Sequence, residues 1–242
     1  MQWLTLLAAC GLAIVHLFAG KLRFLGGTPR SRWLSAAGGI SVAYVFMHLL
    51  PELAEGQRVL QKAATGVFLY LENHAYLIAF LGLVVFYGVE RAAKVSRRKH
   101  MEQEAEDITS PFVFWLHMAS FSIYNLLLGY LLVDGIATVR GLAFFFVAMA
   151  LHFIVTDFGL REHHKNMFTA RGRWILAVAV LCGWLLGVLV KIPETATSLI
   201  AAFLAGGIIL NVLKEELPEE RQSRFSAFLL GGCGYAALLL AL

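Results

Sequence analysis

Charged residues are scarce in this sequence. Only 15% of its 242 residues are Asp, Glu, Lys or Arg, whereas charged residues make up about a quarter of a soluble domain. Hydrophobic residues account for 59% of the chain, and the mean hydropathy is +0.72. This composition excludes an ordinary soluble domain and predicts an all-α integral membrane protein. The net charge of +4 gives no support to a nucleic-acid partner, and we expect membrane lipids to surround the chain.

Cysteine is also scarce, and the sequence contains no CxxC pair. Cys10, Cys182 and Cys233 are scattered among apolar stretches, and we interpret them as buried packing residues. Two catalytic motifs are missing as well, because the sequence has neither a nucleophile elbow nor an HExxH stretch. The connections between apolar runs are short, which leaves no room for a soluble domain.

What the sequence does contain is a series of apolar runs of about 20 residues, the length with which a helix crosses about 30 Å of hydrocarbon. We predict eight spans that form a single transmembrane domain over residues 1–242. The predicted spans cover residues 2–20, 34–52, 75–92, 111–133, 139–161, 174–190, 195–214 and 223–242.

The distribution of Lys and Arg predicts the orientation of these spans. Sixteen of the twenty basic residues lie in alternate connections, at 21–32, 91–99, 161–173 and 214–224. The positive-inside rule places these connections in the cytoplasm and both termini outside. We therefore expect a multi-pass protein of the plasma membrane, which in a bacterium is the inner membrane. A homodimer is compatible with this sequence but is not specified by it.

One phrase occurs twice in the chain. "GGISVAYVFMHLLPEL" covers residues 38–53, and "GGIILNVLKEELPEE" covers residues 206–220. In the predicted topology the two phrases run in opposite directions, so Pro51 and Pro218 lie at opposite faces of the membrane. This indicates a 3+2+3 inverted repeat, a layout typical of secondary transporters. The alternative is that Gly-Gly is ordinary helix packing and Leu-Pro-Glu an ordinary helix end.

Several spans carry polar residues that a bilayer disfavours, and such residues usually face the bundle interior or a wet cavity. Four of them fall in the inner half of the membrane, namely His117, His152, Asp157 and Glu215. Their nitrogen and oxygen donors suit zinc, iron or manganese. Ser120, Tyr124 and Asn125 lie near His117, and Asn211 and Lys214 lie near Glu215.

Each of these residues also has a structural interpretation. His117 could end a hydrogen-bond network, Asp157 could pair with Arg161 four residues on, and Glu215 could belong to a solvated helix end. His152 and Asp157 lie about 140° apart around an ideal helix, so one ion reaches both only at an irregular helix or between helices.

Two histidine groups lie near the predicted membrane surfaces. His48 and Glu52, four residues apart at the outer end of span 2, predict a point where a cation enters, with an interfacial pair as the alternative. His163 and His164, at the cytoplasmic end of span 5, predict an exit, with a basic collar on anionic lipid as the alternative. His16 and His74 lie near helix ends and have no evident partner.

The two phrases resemble the Zrt/Irt-like (ZIP) divalent-metal transporters. The glycine-rich span 7 that ends in Leu-Pro-Glu, and the last span after it, are similar to the final two helices of that family, and residues 38–53 are similar to its second helix. The resemblance implies eight helices, external termini and transport of a divalent metal by alternating access. It also implies a metal site on helices 4 and 5.

Some metal-site residues of the family have a match in this sequence, and others do not. The family's fourth helix reads His-Asn-x-x-Glu-Gly, and the matching stretch here is YNLLLG at 124–129, which keeps Asn125 but has Tyr for His and Leu for Glu. His152 matches the first ligand of the fifth helix, and Thr156 or, with a one-residue shift, Asp157 stands in for its Glu.

On span 7, Glu215 matches a family acid, while Lys214 falls where a His is common. These substitutions imply a site for at most one ion. Lys214 could occupy the place of a second ion as a tethered ammonium group, in which case Lys214→Ala would raise metal occupancy.

We therefore predict a transporter of a divalent cation, zinc before iron or manganese, with the ion as substrate and no organic cofactor. The proposed ligands are His117, Asn125, His152, Asp157 and Glu215, and we do not expect an enzyme. Two alternatives stay open: a ZIP-like fold that senses or assists without transporting, and a zinc-dependent membrane hydrolase in which histidines and an aspartate activate water.

Overall fold

The computed structural model describes residues 1–19, 31–63, 74–104, 109–134, 136, 138–216 and 224–240. These residues form helices and no strand, as expected from the composition. The helices are α1 Gln2–Ala19, α2 Arg32–Tyr44, α3 Leu50–Ala63, α4 His74–Glu104, α5 Pro111–Asp134, α6 Val139–Met167, α7 Arg173–Leu189, α8 Glu194–Glu216 and α9 Phe225–Leu240.

Six helical stretches of the described chain are long and apolar enough to cross a membrane, and α9 is a shorter apolar helix. A multi-pass membrane protein is therefore supported, while the number of eight spans stays a prediction. One of the six stretches, Val139–Leu189, contains 51 residues and includes the predicted span 5 and all but the last residue of the predicted span 6. A straight helix of that length would measure about 75 Å, far more than the hydrocarbon core requires.

The long stretch is interrupted at Lys165, whose backbone has φ 45° and ψ −119° inside the run from Val139 to Met167. It is the one residue other than glycine with positive φ in the described chain. A π-helical turn at Phe168–Gly172 follows and leads into α7. The chain changes direction at a lysine, a residue that carries no helix-breaking signal in sequence.

Replacing Lys165 by glycine is expected to stabilise the fold by about 1 kcal/mol. A side chain in this backbone region costs about 1–3 kcal/mol, and glycine removes most of that cost while adding some freedom to the unfolded chain. Thermal unfolding in detergent measures the change. Lys165→Ala is the control, because it removes the same charge and keeps the strained Cβ. Equal melting temperatures for the two variants would contradict the assignment of strain to this residue.

Helix α2 does not end at Leu-Pro-Glu, which corrects the prediction that span 2 stops at residue 52. It passes through a π-helical turn at Val45–Leu49 into α3, which contains Pro51 and continues to Ala63. Proline cannot donate the usual backbone hydrogen bond, and the wider turn before it lets the Leu50 N–H reach the Val45 carbonyl instead. The reading of Leu-Pro-Glu as an ordinary helix end is therefore wrong for Pro51.

Two further predictions need correction. The basic segment 91–99 is not a loop, because α4 continues as a helix to Glu104. Cys182 and Cys233 are exposed on the surface of the chain and Cys10 is half-buried, so the cysteines are not buried packing residues. An apolar thiol faces a hydrocarbon environment at little cost, and for this reason apolar surroundings in sequence do not imply burial inside a membrane protein.

The chain divides into two compact units. Unit 1 comprises residues 1–23 and 86–189, and unit 2 comprises residues 24–85 and 190–242. The boundary falls inside α4. Within unit 1, α1 packs on α6 and α7, and α5 packs on α7. Within unit 2, α2 packs on α9 and α3 packs on α8.

Glycine allows the helices of unit 2 to touch backbone to backbone. A Cβ atom added at Gly39 of α2 would lie 2.0 Å from the carbonyl oxygen of Phe228 in α9. A Cβ atom at Gly231 of α9 would lie 2.3 Å from the carbonyl oxygen of Ala36 in α2. The contact is reciprocal. The glycine of each helix lies against a backbone carbonyl of the other helix, and that carbonyl belongs to the residue three positions before the other helix's glycine. Only small residues permit such a close contact.

The same arrangement recurs between α4 and α8 in unit 2. A Cβ atom at Gly82 would lie 2.1 Å from the Phe203 carbonyl oxygen, and one at Gly206 would lie 1.8 Å from the Ala79 carbonyl oxygen. The glycine of one repeated phrase, Gly39, and the glycine of the other, Gly206, thus have equivalent roles in two different helix pairs.

Candidate cation site

A buried polar trio lies in unit 1 where α1, α5 and α6 come together. His16 of α1 places Nδ1 3.0 and 2.9 Å from the two carboxylate oxygens of Asp157 in α6. Its other nitrogen, Nε2, lies 2.9 Å from Oδ1 of Asn125 in α5. All three side chains are 1% exposed. We call His16, Asn125 and Asp157 the central trio.

The hydrogen bonds of Asn125 fix where the protons of His16 lie. The Asn125 amide donates from Nδ2 to the backbone carbonyl of Phe121 at 2.7 Å, so its Oδ1 faces the imidazole as an acceptor. His16 must therefore donate from Nε2. Nδ1 and the carboxylate oxygens lie 2.9–3.0 Å apart, a distance that two acceptor atoms reach only with a proton between them, and we therefore infer that His16 and Asp157 share one further proton.

Burial explains why these two groups are paired. The ring of Phe153 stacks on the His16 imidazole with centroids 4.4 Å apart, and α1 is otherwise almost entirely apolar. A lone carboxylate in such surroundings would cost several kcal/mol, about the order that an ion pair or a shared proton recovers. The partner of Asp157 is thus His16, and Arg161, the alternative suggested by spacing, does not fill this role.

His152 belongs to a second, smaller group. Its Nε2 lies 3.1 Å from the Tyr124 hydroxyl and 3.5 Å from Oγ1 of Thr156, one turn along α6. Tyr124 and Thr156 are the residues that stand where the ZIP-like pattern has His and Glu. His152 and Asp157 have different hydrogen-bond partners. This placement agrees with the expectation from helix geometry that the two side chains point to different sides of α6.

His117 lies in a third group that also contains Glu90, His163 and His164, and we call these four residues the histidine cluster. His117 Nδ1 and His164 Nε2 are 2.7 Å apart, and Nδ1 of His164 bonds the Thr109 hydroxyl. All four side chains are buried. His163 and His164 therefore do not form an exposed basic collar on lipid.

Glu90 connects the remaining members of the histidine cluster. Its Oε1 lies 3.3 Å from Nε2 of His163, and its Oε2 lies 3.9 Å from Nε2 of His117. A cleft of about 390 Å³ borders His163, and its other walls are Lys94, Arg97, Arg98, Met101 and Glu102.

The remaining candidates belong to unit 2. His48 in the π-helical turn lies 3.7 Å from Glu52, and both side chains are partly exposed at 39% and 47%. Asn211 of α8 is buried, and Lys214 is half-buried. The side chain of Glu215 lies outside the described part of the structure, so its role as a ligand and the tethered-ammonium role of Lys214 stay predictions.

The predicted ligands therefore do not form one set. Asn125 and Asp157 share His16, His152 pairs with Tyr124, and His117 joins the histidine cluster. In the described part of the chain, no group of three or more His, Cys, Asp or Glu side chains could hold a metal ion.

Sequence reasoning missed two residues of these groups, His16 and Glu90. Both had a usable signal, because an ionisable residue inside an apolar run is itself a mark of function in a membrane protein. His16 lies inside the first predicted span and Glu90 inside the third.

Comparison of the sequence with protein-family models finds no match, and comparison with curated proteins finds no significant relative.

Proposed function

We propose that this chain transports a divalent cation, zinc before iron or manganese, across the membrane in which its helices lie. The observation that carries the proposal is the His16–Asp157 pair, a buried imidazole nitrogen and carboxylate oxygen that lie 2.9 Å apart inside an apolar helical unit. Buried acids and imidazoles in membrane helices are costly, and they typically mark ion and proton pathways. A pair that holds a proton is a site where a metal cation can take the place of that proton.

The donor atoms suit such an exchange. Nδ1 of His16 and a carboxylate oxygen of Asp157 supply one nitrogen and one oxygen, a combination that zinc, iron and manganese accept. Asn125 acts better as the partner that orients the imidazole than as a ligand, because a metal-binding histidine usually donates its second N–H to a nearby oxygen. Two protein ligands with water completing the shell give a weak site, as an ion that must leave requires.

The repeated phrases support the inverted repeat that this mechanism needs. Gly39 and Gly206 make equivalent backbone contacts in two different helix pairs. Pro51 and Pro218 each follow that glycine by twelve residues. Two copies of one unit related by an axis in the membrane plane are the usual basis of alternating access. Passage of the ion past His48 and Glu52 on one side and toward His163 and His164 on the other is part of the same proposal.

The alternatives have less support. A hydrolase would need His117, His152 and Asp157 around one metal-bound water, and these side chains belong to three separate hydrogen-bonded groups. A chain that senses or assists without transporting would keep the central trio and show no ion flux, so the transport assay separates it from the proposal.

Transport is tested by uptake of Zn²⁺ into proteoliposomes that contain the purified chain and an internal zinc-sensitive dye. We expect uptake above that of protein-free liposomes, saturable in Zn²⁺ and reduced by competing Fe²⁺ or Mn²⁺. Uptake equal to the protein-free control for all three metals, with correctly folded protein in the bilayer, would contradict the proposal.

A further inference from the structure

We propose that the cleft beside His163 binds the phosphate group of an anionic lipid. The cleft has a volume of about 390 Å³, which is within the range of small-molecule pockets, about 300–1,000 Å³. Its walls come from α4 and, at His163, from α6, and the lining residues all belong to unit 1. The site is separate from the central trio, and the proposal does not depend on transport.

The side chains that line the cleft are predominantly basic. Lys94, Arg97 and Arg98 are positively charged, and Glu102 is the one carboxylate among the described residues that line the cleft. Positive charge is therefore in excess there. The phosphate diester of a lipid is negatively charged and presents oxygen acceptors, so ammonium and guanidinium groups bind it through charge-assisted hydrogen bonds.

The helical course of α4 places these basic residues on one face. The segment predicted as a loop is helical throughout, and the residues Lys94, Arg97, Arg98 and Met101 follow at i, i+3, i+4 and i+7, the spacing of one helix face. Lys99 is five residues from Lys94 and two from Arg97, so it lies about 140° and 160° away from them around the helix. The helix therefore directs three cations to the cleft and leaves Lys99 outside it.

The depth of the cleft matches that of lipid headgroups. The apolar run in α4 ends at about residue 92. At 1.5 Å per residue, Lys94 and Arg98 lie about 3 and 9 Å beyond that end when the helix is perpendicular to the membrane. The headgroup layer is about 5–8 Å thick on each side of the hydrocarbon core. The basic groups thus begin at the level of lipid phosphates, which favours a lipid over a phosphate compound dissolved in water.

The existing ion pairs at the cleft are compatible with a bound phosphate. The Lys94 ammonium lies 3.9 Å from Glu90 Oε1, which is beyond hydrogen-bond distance, and its side chain is 61% exposed. Arg98 donates from Nε to Glu102 Oε1 at 2.8 Å. A guanidinium group has five N–H donors, so its terminal nitrogens can bind a phosphate while Nε keeps this bond.

The competing interpretation is a solvated helix end, whose Lys and Arg side chains extend separately into water at the membrane surface. Such residues would lie on a convex, exposed helix surface. Arg97 is half-buried, and the His163 side chain, which also lines the cleft, is only 11% exposed. The basic groups therefore surround a concave site, and basic pockets at the cytoplasmic side of membrane helices are typical binding sites for anionic headgroups.

The test is equilibrium binding of radiolabelled phosphatidylglycerol to the purified full-length chain in micelles of a non-ionic detergent. We expect saturable binding, and binding of phosphatidylcholine that is weaker by about tenfold or more, because its headgroup carries a compensating cation. Lys94→Gln and Arg97→Gln should each weaken phosphatidylglycerol binding by about tenfold, the scale of one charge-assisted hydrogen bond. The control Lys99→Gln removes the same charge outside the cleft, and its affinity should equal that of the natural chain.

Glu102→Gln is expected to change the affinity in the opposite direction. It removes the negative charge from the wall of the cleft and releases the Nε donor of Arg98, so phosphatidylglycerol should bind several-fold more tightly. A defect in folding would not tighten binding, and this variant therefore separates a phosphate site from a structural effect of the substitutions.

Three results would overturn the site. One is equal phosphatidylglycerol binding by Lys94→Gln, Arg97→Gln and Lys99→Gln, and another is equal affinity for phosphatidylcholine and phosphatidylglycerol. The third is binding of inorganic phosphate with the affinity of phosphatidylglycerol, which would assign the cleft to a soluble phosphate compound. Failure of Zn²⁺ uptake would contradict the proposed transport and leave the lipid site standing, because lipid binding is measured without metal.

Discussion

Asp157→Asn is expected to reduce Zn²⁺ uptake by proteoliposomes to the level of protein-free liposomes. The change keeps the shape of the side chain and a hydrogen bond to His16, but it removes the only carboxylate of the central trio. Without that negative charge the site can neither share a proton with His16 nor compensate a divalent cation in a buried position. Initial uptake rates at equal protein content measure the effect, and a loss of about a hundredfold is the scale expected for an essential ligand.

The control for this experiment is Glu162→Gln. Glu162 lies on the same helix, five residues further on, and is exposed, so it removes one negative charge without touching the trio. We expect it to transport at close to the rate of the natural protein. If Asp157→Asn kept more than half of that rate, the central trio could not be the transport site.

Gly39→Ala and Gly231→Ala are each expected to cause a large loss of stability in unit 2. Each added Cβ would lie within 2.0–2.3 Å of a carbonyl oxygen on the facing helix, in one case Phe228 and in the other Ala36. Overfilling a packed interior costs about 1–3 kcal/mol where side chains can adjust, and backbone atoms adjust less readily. Thermal unfolding in detergent and the yield of folded protein both report the loss.

Gly234→Ala is the matched control, since it lies one turn from Gly231 on α9 and a Cβ there would meet nothing within 4 Å. Gly88→Ala serves the same purpose on α4. Both should be neutral or slightly stabilising, because alanine favours a helix over glycine. A similar loss for Gly231→Ala and Gly234→Ala would mean that glycine content, and not the close helix contact, determines stability.

Much of the helical layout was predictable from sequence, because hydrophobic runs of fixed length are dictated by the thickness of a bilayer. The starts of α5 and α6 fall at the predicted residues 111 and 139. The predicted helix bounds were wrong where local backbone geometry in the folded structure determines whether a helix continues. The helix around Pro51 continues because a π-helical turn absorbs the missing hydrogen bond, and Lys165 breaks α6 without any local signal.

The candidate site was predictable only in part, and the reason is distance along the chain. His16 and Asp157 are 141 residues apart, and no local pattern links them. Asn125 and Asp157 were identified because each lies in an apolar helix with other polar residues. Their common partner, His16, has no evident partner within its own helix α1. The pairing depends on how α1 packs against α5 and α6, which hydrophobic periodicity does not encode.

We propose that a metal cation replaces the proton shared by His16 and Asp157. The most direct test is the number of protons released into weakly buffered solution when Zn²⁺ is added to the purified chain, compared with the same measurement on Asp157→Asn, since binding at a protonated site must release protons. We expect the natural protein to release about one proton per chain more than the variant. Equal release from the two proteins would contradict the claim.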